Sequence, residues 1–535
     1  MRGRPLPHIF SCNAGPVAGV AVEQTPSTVS IIMRKFLFIA CLAAALPLQA
    51  ARPKGLSDDA VRAAMKKATT FMVEQVSNEG GYLWNYSPDF SRVWGELECK
   101  PSMMWIERGT PAMGNIFLDA WHATGDEYYL RAAEQAASAL IWAQLPCGGW
   151  NYMADFAGEP SLKDWYARVA KGYQYCAQEH LHYSGNATFD DGTIDAAQFL
   201  LRIYAENWDP RYRPAIDRAI DFMIESQYPV GGWPQRWPLR YDFVKDGKPD
   251  YTSFITINDG VHTGNINFLL DCYRILGEER VLEPIQRAMS CVLVLQGGKP
   301  QAGWAMQHQL DLNYTPGHAR DFEPRGYAAT ATAEMIGNLM MFYRWTGDTK
   351  YLARIPDAFE FLESIRYSPA EVEFFGVKLR EGQILCPTFV EVGTGKPLYL
   401  HRGDGKYWVD YDPHELITHY RSTRTINIGP LREEYRALLE MSVEEATAGS
   451  PFLGSEARQY RYPQYMSRGS GVKEEAAAVQ DLVDALGAKP YWPGNPPGVS
   501  QENPGFSEAP RPEECISTWT YMQNMTRLIN WLTIR

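Results

Sequence analysis

What the 535-residue chain lacks narrows its function first. It has no surplus of positive charge: 51 Lys and Arg stand against 63 Asp and Glu, a net charge of -12. A nucleic-acid binder carries a basic surface, so that class is set aside. Beyond one leader-like stretch near the start it has no apolar run of about 18 residues or more, hence no candidate membrane-spanning helix. Cysteines are few, nine in all, and none of their spacings is that of a zinc site. Setting aside Cys12 and Cys41 leaves Cys99, Cys147, Cys176, Cys272, Cys291, Cys386 and Cys515. That odd number leaves at least one free thiol, and Cys272 and Cys291 sit in apolar helical runs that suit a small buried thiol.

What is abundant is apolar and aromatic. Hydrophobic residues make up 45% of the chain, with 16 Trp and 30 Tyr, ample for a sizeable core. Most such rings are core, although sugar-binding clefts use them too. Near the start, Met33-Arg34-Lys35 and the apolar run 36–46, followed by Leu48-Gln49-Ala50, have the pattern of a secretory signal peptide. Met33 is therefore expected as the true start, residues 1–32 as a mis-assigned extension, and the mature protein as secreted or periplasmic.

A long-period repeat follows. An amphipathic helix is expected over 60–76, ending at Gly80-Gly81-Tyr82. Helix pairs are then expected over 113–124 and 127–145, 194–207 and 211–227, and 262–277 and 283–296. They close at Gly148-Gly149-Trp150, Gly231-Gly232-Trp233 and Gly303-Trp304, so that Gly149, Gly232 and Gly303 are 83 and 71 residues apart. The turns within pairs are short and polar, as in Thr124-Gly125-Asp126 and Thr346-Gly347-Asp348. A fourth pair over 328–345 and 351–365 precedes short strands expected over 372–379, 388–392 and 406–410. Helices over 431–448 and 474–488, a surface loop over 491–511 and a last helix over 516–534 complete the chain. A period this long, built of two helices and a returning loop, predicts an all-α-dominated (α/α) toroid of consecutive helical hairpins with short irregular β elements. Residues 57–435 form the expected toroid and 436–535 a C-terminal helical extension packed on it.

In such a toroid the first helix of every pair is an inner one, all inner helices run the same way, and their N-termini share one rim. Two of those entrances carry carboxylates: Thr188-Phe189-Asp190-Asp191-Gly192-Thr193 and Thr256-Ile257-Asn258-Asp259-Gly260-Val261. The plain alternative is that Asp190, Asp191 and Asp259 are N-caps, each contributing about 1 kcal/mol. The topology also brings Arg320, Glu323 and Arg325 to the same rim, where helix N-termini favour anions.

In order along the chain, the first Asp-bearing entrance, Gly231-Gly232-Trp233-Pro234-Gln235, the second Asp-bearing entrance, Gln307-His308, Ala319-Arg320-Asp321-Phe322-Glu323-Pro324 and Arg402-Gly403-Asp404-Gly405-Lys406-Tyr407 form an ordered set. Over roughly 110–430 it resembles the family 10 polysaccharide lyases, which are pectate lyases. The resemblance implies cleavage of polygalacturonate by β-elimination: the C5 proton, acidified by the C6 carboxylate, is removed and the C4 oxygen leaves. It implies calcium as cofactor, held by Asp190, Asp191 and Asp259 with Asn258 beside them. No EF-hand spacing is present, so that site would be assembled from separate loops and substrate oxygens. It implies an arginine base, Arg320, with Arg325 as fallback, and an alkaline optimum, because a guanidinium keeps its proton to about pH 12. The plain alternative for Arg320 is an ion pair with Asp321 or Glu323. Asp190 joins Arg320 in the catalytic set, and substrate contacts fall to Trp233, Gln235, Arg236, His308, Glu323, Arg325, Arg402, Lys406, Tyr407 and Arg421. His308 and His262 are as readily structural as catalytic. The partner implied is an acidic polysaccharide, and a monomer is expected. Two alternatives stay open: a metal-independent uronyl hydrolase using a carboxylate pair, and a toroid that only binds acidic polysaccharide. Terpene cyclases and prenyltransferases share the toroid, but a signal peptide does not suit them.

Overall fold

The computed structural model describes residues 56–172, 182–190, 192–242, 249–403, 406–417, 421–453, 461–466, 473–487, 489–495 and 512–534. The leader-like stretch, Cys176, Asp191, most of the loop expected over 491–511 and the side chain of Lys406 lie outside that description. The helices are α1 (Asp58–Phe71), α2 (Thr110–Thr124), α3 (Glu127–Ala143), α4 (Glu159–Gly172), α5 (Gly192–Asn207), α6 (Arg213–Glu225), α7 (Val261–Asp271) and α8 (Leu282–Leu295). They continue with α9 (Ala329–Thr346), α10 (Ile355–Ser364), α11 (Ile428–Glu440), α12 (Ala476–Ala485) and α13 (Thr518–Thr533).

Four hairpins pair α2 with α3, α5 with α6, α7 with α8, and α9 with α10. The Thr-Gly-Asp sequence explains two of the turns. Gly125 and Gly347 leave the helix in the left-handed conformation at φ 71°, which glycine adopts without steric cost. Asp126 and Asp348 then cap the next turn by accepting from the backbone N–H groups of Tyr128 and Lys350 at 2.9 and 3.0 Å. The inner helices follow one another around a ring, α2 against α5 and α5 against α7. Asn338 of α9 donates to Thr263 of α7 at 2.9 Å.

The Gly-Gly-Trp loops are the returns from outer helix to rim. Trp150, Trp233 and Trp304 are fully buried. Each indole N–H donates to a carbonyl of the outer helix before it: Leu140 at 2.7 Å, Met223 at 2.8 Å and Val292 at 2.8 Å. Stacking of Trp233 on a sugar is therefore corrected, since the ring is core. A glutamine near the end of each outer helix joins consecutive hairpins. The amides of Gln144, Gln227 and Gln296 donate to carbonyls of their own loops and also to those of Ala215, Pro284 and Arg354 in the next hairpin. The leading glycine of the loop is needed for conformation and space alike: Gly231 has φ +106°, and a Cβ there would lie 2.2 Å from the Arg287 carbonyl oxygen.

At the rim, each loop after an outer helix forms a two-stranded antiparallel ribbon with the segment that enters its own inner helix. Met153–Asp155 pairs with Met103–Trp105, Arg236–Trp237 with Ala187–Thr188, and Gln307–His308 with Ile255–Thr256. Phe389–Glu391 pairs likewise with Gly326–Ala328. A fifth ribbon comes from the two ends of the chain, because Asn85–Tyr86 after α1 pairs with Cys515–Ser517 before α13. Helix α13 packs on both α1 and α2, and Tyr521 meets Thr69 of α1 through a 2.7 Å hydroxyl contact. The C-terminal helix, expected as part of an extension, thus occupies an inner position and forms a split hairpin with α1. Helices α11, against α9, and α12, against α1 and α13, fill the interval between the fourth hairpin and the split one.

Smaller expectations change as well. The strand expected over 372–379 is a short helix, Pro369–Phe374, started by a Ser368/Glu371 capping box with proline in its first turn. The helix expected over 431–448 breaks at Met441-Ser442, where Ser442 caps a new turn, Val443–Thr447. Cys99, Cys147, Cys272, Cys291, Cys386 and Cys515 are free thiols, most of them buried.

Adding a methyl group at Gly231 tests the closure loop. Gly231→Ala should lower stability by about 2 kcal/mol or more, from the carbonyl clash and the left-handed backbone, read as a fall in melting temperature. An unchanged melting temperature would remove the role assigned to this glycine.

Candidate active site

The rim ribbons place side chains from four hairpins within reach of one another. Asp190 follows the strand Ala187–Thr188 at the entrance to α5. Its Oδ2 accepts from the Tyr152 hydroxyl at 2.8 Å and lies 3.5 Å from the Gln235 amide nitrogen. Tyr152 comes from the preceding hairpin's return loop and Gln235 from the loop of its own hairpin, so Asp190 is fixed from both sides. Arg236 is 2% exposed, with its guanidinium over the Tyr152 ring at 5.4 Å. The substrate contact expected of Arg236 is corrected, because it is enclosed between the Tyr152 and Tyr183 rings.

Asp259 stands at the equivalent entrance, before α7, in the left-handed conformation at φ 55° and followed by Gly260 at φ 69°. Aspartate tolerates that region better than bulkier residues do. Asn258 donates to Asp259 Oδ2 at 2.7 Å and accepts from the Gln307 amide at 2.9 Å, so the motif Gln307 orders the entrance through Asn258.

Arg320 reaches the same carboxylate. Its Nη2 donates to Asp259 Oδ2 at 3.1 Å, while Nε and Nη2 donate to the two oxygens of Glu323 at 2.7 Å each. Glu323 is 1% exposed and Arg320 14%. The two planar groups match as a bidentate fork, and removing one member of such an enclosed pair costs about 3–5 kcal/mol. The ion pair with Glu323, one of the alternatives for Arg320, is therefore present. In each of these three bonds the guanidinium is the donor, as a protonated arginine requires. Glu323 is in turn an orienting group, too enclosed to contact substrate directly.

The Asp259 carboxyl is raised well above the ordinary carboxylate range. Burial is the largest cause and the charge of Asp190 the next, with Arg320 opposing both. The side chain keeps 33% of its surface open, so the crowding comes from the walls of a concave site rather than from full enclosure. Glu334 of α9 is pushed up to about 7, chiefly by burial; the Thr263 hydroxyl opposes the shift and Asp259 adds to it. The site is thus a concentration of negative charge with Arg320 inside it.

The expected substrate-binding residues divide. Arg402 and Tyr407 face each other across the ribbon Pro397–Gly403/Lys406–Asp410, with the Arg402 guanidinium 5.3 Å from the Tyr407 ring. Tyr407 meets Phe322 edge-on at 5.7 Å, and Arg320 lies 5.4 Å from the Phe322 ring. This ribbon is thereby joined to the carboxylate cluster. Arg325 is exposed close by in sequence. Arg421 is exposed, and its carbonyl accepts from Thr388 beside the entrance to α9. His308 is corrected: it is fully buried, its Nδ1 lies 2.8 Å from the Tyr314 carbonyl, and its Nε2 accepts from the Ala305 N–H at 3.2 Å. Both ring nitrogens hold the loop together, and none is left for a sugar or a proton relay.

Tyr152, Glu107, Arg108, Asp195 and Glu334 were not foreseen. The backbone N–H of Arg108 donates to Asp195 Oδ2 at 3.2 Å, which ties the α2 entrance to that of α5. A signal existed: Glu107-Arg108-Gly109-Thr110 has the same form as Asp190-Asp191-Gly192-Thr193. The two threonines do the same work, Thr110 accepting from the Tyr82 N–H at 3.0 Å and Thr193 from that of Trp150 at 2.9 Å.

Among the described residues, no three His, Cys, Asp or Glu side chains cluster as a ready-made metal centre. The donors that are present nevertheless suit a hard cation. Asp190 and Asp259 repel each other, and Gln235 Oε1 is buried without a hydrogen-bond partner. Those oxygens are too few for the 6–8 that calcium takes, so fuller coordination needs oxygens from a bound ligand or water.

Carboxylates and an arginine thus gather at the inner-helix entrances of an (α/α) toroid, and it is the match to a known family that makes the protein a lyase. Residues 157–342, which contain Asp190, Asp259, Arg320 and Glu323, match the family model of pectic acid lyases. No curated protein matches it. Among solved structures, a mutant of the family 10 polysaccharide lyase from Cellvibrio cellulosa, in complex with trigalaturonic acid, is similar at 17% identity. That match covers 61% of this chain and 99% of the other, with a TM-score of 0.38. An inactive variant of an alpha-1,6-mannanase from Salegentibacter, with alpha-1,6-mannotetrose, is similar at 11% identity over 90% of this chain and 100% of the other, TM-score 0.36. Cellobiose 2-epimerase from Spirochaeta thermophila follows at 12% identity over 72% and 100%, TM-score 0.34.

Two buried histidines frame the site, and each predicts a pH dependence of stability. Burial lowers His262 and His308 from the ordinary 6.5 to about 4. A histidine whose pKa falls on folding contributes stability above pH 6.5 that is lost as pH drops towards 4, of order 3 kcal/mol each. His262→Gln should lower the melting temperature at neutral pH and flatten its decline between pH 6.5 and 4. The same decline in the variant would rule out His262 as a cause.

Proposed function

We propose that the protein is an exported pectate lyase that cleaves α-1,4-polygalacturonate by β-elimination, with Arg320 as the base and calcium as cofactor. The observation that carries this reading is the junction of Asp190 and Gln235 with Asp259, Arg320 and Glu323, all inside the segment that matches the pectic acid lyase model. Asp190, Asp259 and Gln235 Oε1, with Asp191 at the same entrance in sequence, would hold the cation. Bound there, calcium would withdraw charge from the uronate carboxylate and make the neighbouring C5 proton more acidic.

The chain's own residues do the rest. Glu323 grips the guanidinium of Arg320 at two points and leaves its third contact with Asp259 exchangeable. Arg320 can accept a proton only after giving one up, which makes the reaction faster towards alkaline pH. The C5 proton passes to a guanidinium nitrogen, the electron pair forms the C4–C5 double bond, and the C4 oxygen departs with its sugar. Arg402, Arg325 and Arg421 supply cations for further uronate carboxylates, with Tyr407 beside Arg402, and the backbone register puts Lys406 opposite Gly403 on the same ribbon. The leader-like stretch starting at Met33 supports export to the periplasm or beyond.

Ultraviolet absorbance of the unsaturated uronide during incubation with polygalacturonate tests this. A chelator should abolish the signal and added calcium restore it. Arg320→Ala should lower the rate by about 10²–10⁴-fold, the range for losing a general base, and Asp190→Asn should raise the calcium needed. Full activity in Arg320→Ala, or in the presence of chelator, would contradict the assignment.

A further inference from the structure

Because α13 is an inner helix, its entrance lies on the same rim as Asp190 and Asp259, although it is built from the other end of the chain. Its second residue is Trp519, whose side chain is 63% exposed. Tyr521, Met525 and Leu528 form the buried face of α13, and Trp519 lies on the opposite face with exposed Gln523. Tyr521 turns the buried face towards Thr69 of α1 and Phe117 of α2, so Trp519 points away from the outer helix.

The connection to the carboxylate cluster is continuous. The N–H of Thr518 donates to the Trp84 carbonyl at 3.0 Å, and the Trp84 indole donates to the Glu107 carbonyl at 3.0 Å. Arg108 follows, with a side chain 71% exposed whose Nε lies 3.8 Å from the Glu107 carboxylate and a backbone tied to Asp195 at the α5 entrance. Around the rim, then, an exposed indole on a rigid helix turn is followed by an exposed cation and then by Asp190. Trp519 is two inner-helix spacings from the α5 entrance, about 16–20 Å.

We infer that Trp519 is a distal sugar subsite, on which a uronate ring of the polysaccharide stacks while Arg108 meets a carboxylate between it and the cleavage point. Its ligand is the acidic polysaccharide of the proposed reaction, so the subsite rests on that reading for its substrate class. An indole offers a flat apolar face to a sugar ring, and the arginine selects charged units along the same path. A short oligomer held at the Asp190–Asp259 centre does not span the distance, whereas a long chain does.

Chain-length dependence tests this. Cleavage and calorimetric binding of polygalacturonate and of its trimer would be compared in the wild type, Trp519→Ala and Trp519→Phe. The expected result is a threefold to tenfold loss of kcat/KM and affinity for the long chain in Trp519→Ala, by about the worth of one aromatic contact. The trimer should change far less, and Trp519→Phe should recover most of the loss. An equal effect on both substrates, or no effect on the long chain, would overturn the subsite. If the wild type cleaves no uronan yet long-chain binding still weakens in Trp519→Ala, the lyase reading fails and the subsite stands.

Discussion

The interaction on which the architecture depends is the buried indole of each return loop, hydrogen-bonded to the outer helix before it. Trp150, Trp233 and Trp304 each pin a loop so that the chain leaves an outer helix and comes back to the rim. The glutamines that bridge to the next outer helix set the step between hairpins, and a glycine lets the loop pass against neighbouring backbone where no Cβ fits. With the returns fixed in this way, the inner helices start on one rim, and short ribbons there hold their entrances in register. The chain ends obey the same rule, since α13 and α1 make a hairpin from sequence segments more than four hundred residues apart, as the Thr69–Tyr521 contact records.

That rim concentrates charge of one sign at the positive ends of helices. Asp190 adds to the cost of ionising Asp259, and Asp259 to that of Glu334, and the protein answers with Arg320, held at three points by Glu323 and Asp259. In the proposed reaction a hard cation would relieve this repulsion by neutralising the carboxylates, and a bound uronate would add oxygens to complete its coordination. Glu323 is enclosed, while Asp259 keeps an open surface. One carboxylate orients, and the other remains available.

Much of this was legible in the sequence, for reasons that can be named. Hairpins with Thr-Gly-Asp turns and Gly-Gly-Trp closures announce themselves by chemistry that acts within a few residues, so helix positions and the convergence of Asp190, Asp259 and Arg320 follow from topology. Trp233 and His308 were misassigned because a motif residue that holds a loop together looks, in sequence, like one that holds a ligand. Burial separates the two, and burial depends on packing between hairpins. Tyr152 and Glu334 were missed for the complementary reason: they reach the site across the ring, with no local pattern. The inner position of α13 was hidden by its distance in sequence from α1.

The most direct test of the account is the mass of the oligomers that the wild-type protein releases from polygalacturonate. Elimination leaves each new non-reducing end one water lighter than hydrolysis does. Products lighter by one water, appearing only with calcium present, are the predicted result. Saturated products of full mass, formed without metal, would contradict it and assign the Asp190–Asp259 pair to a hydrolase instead.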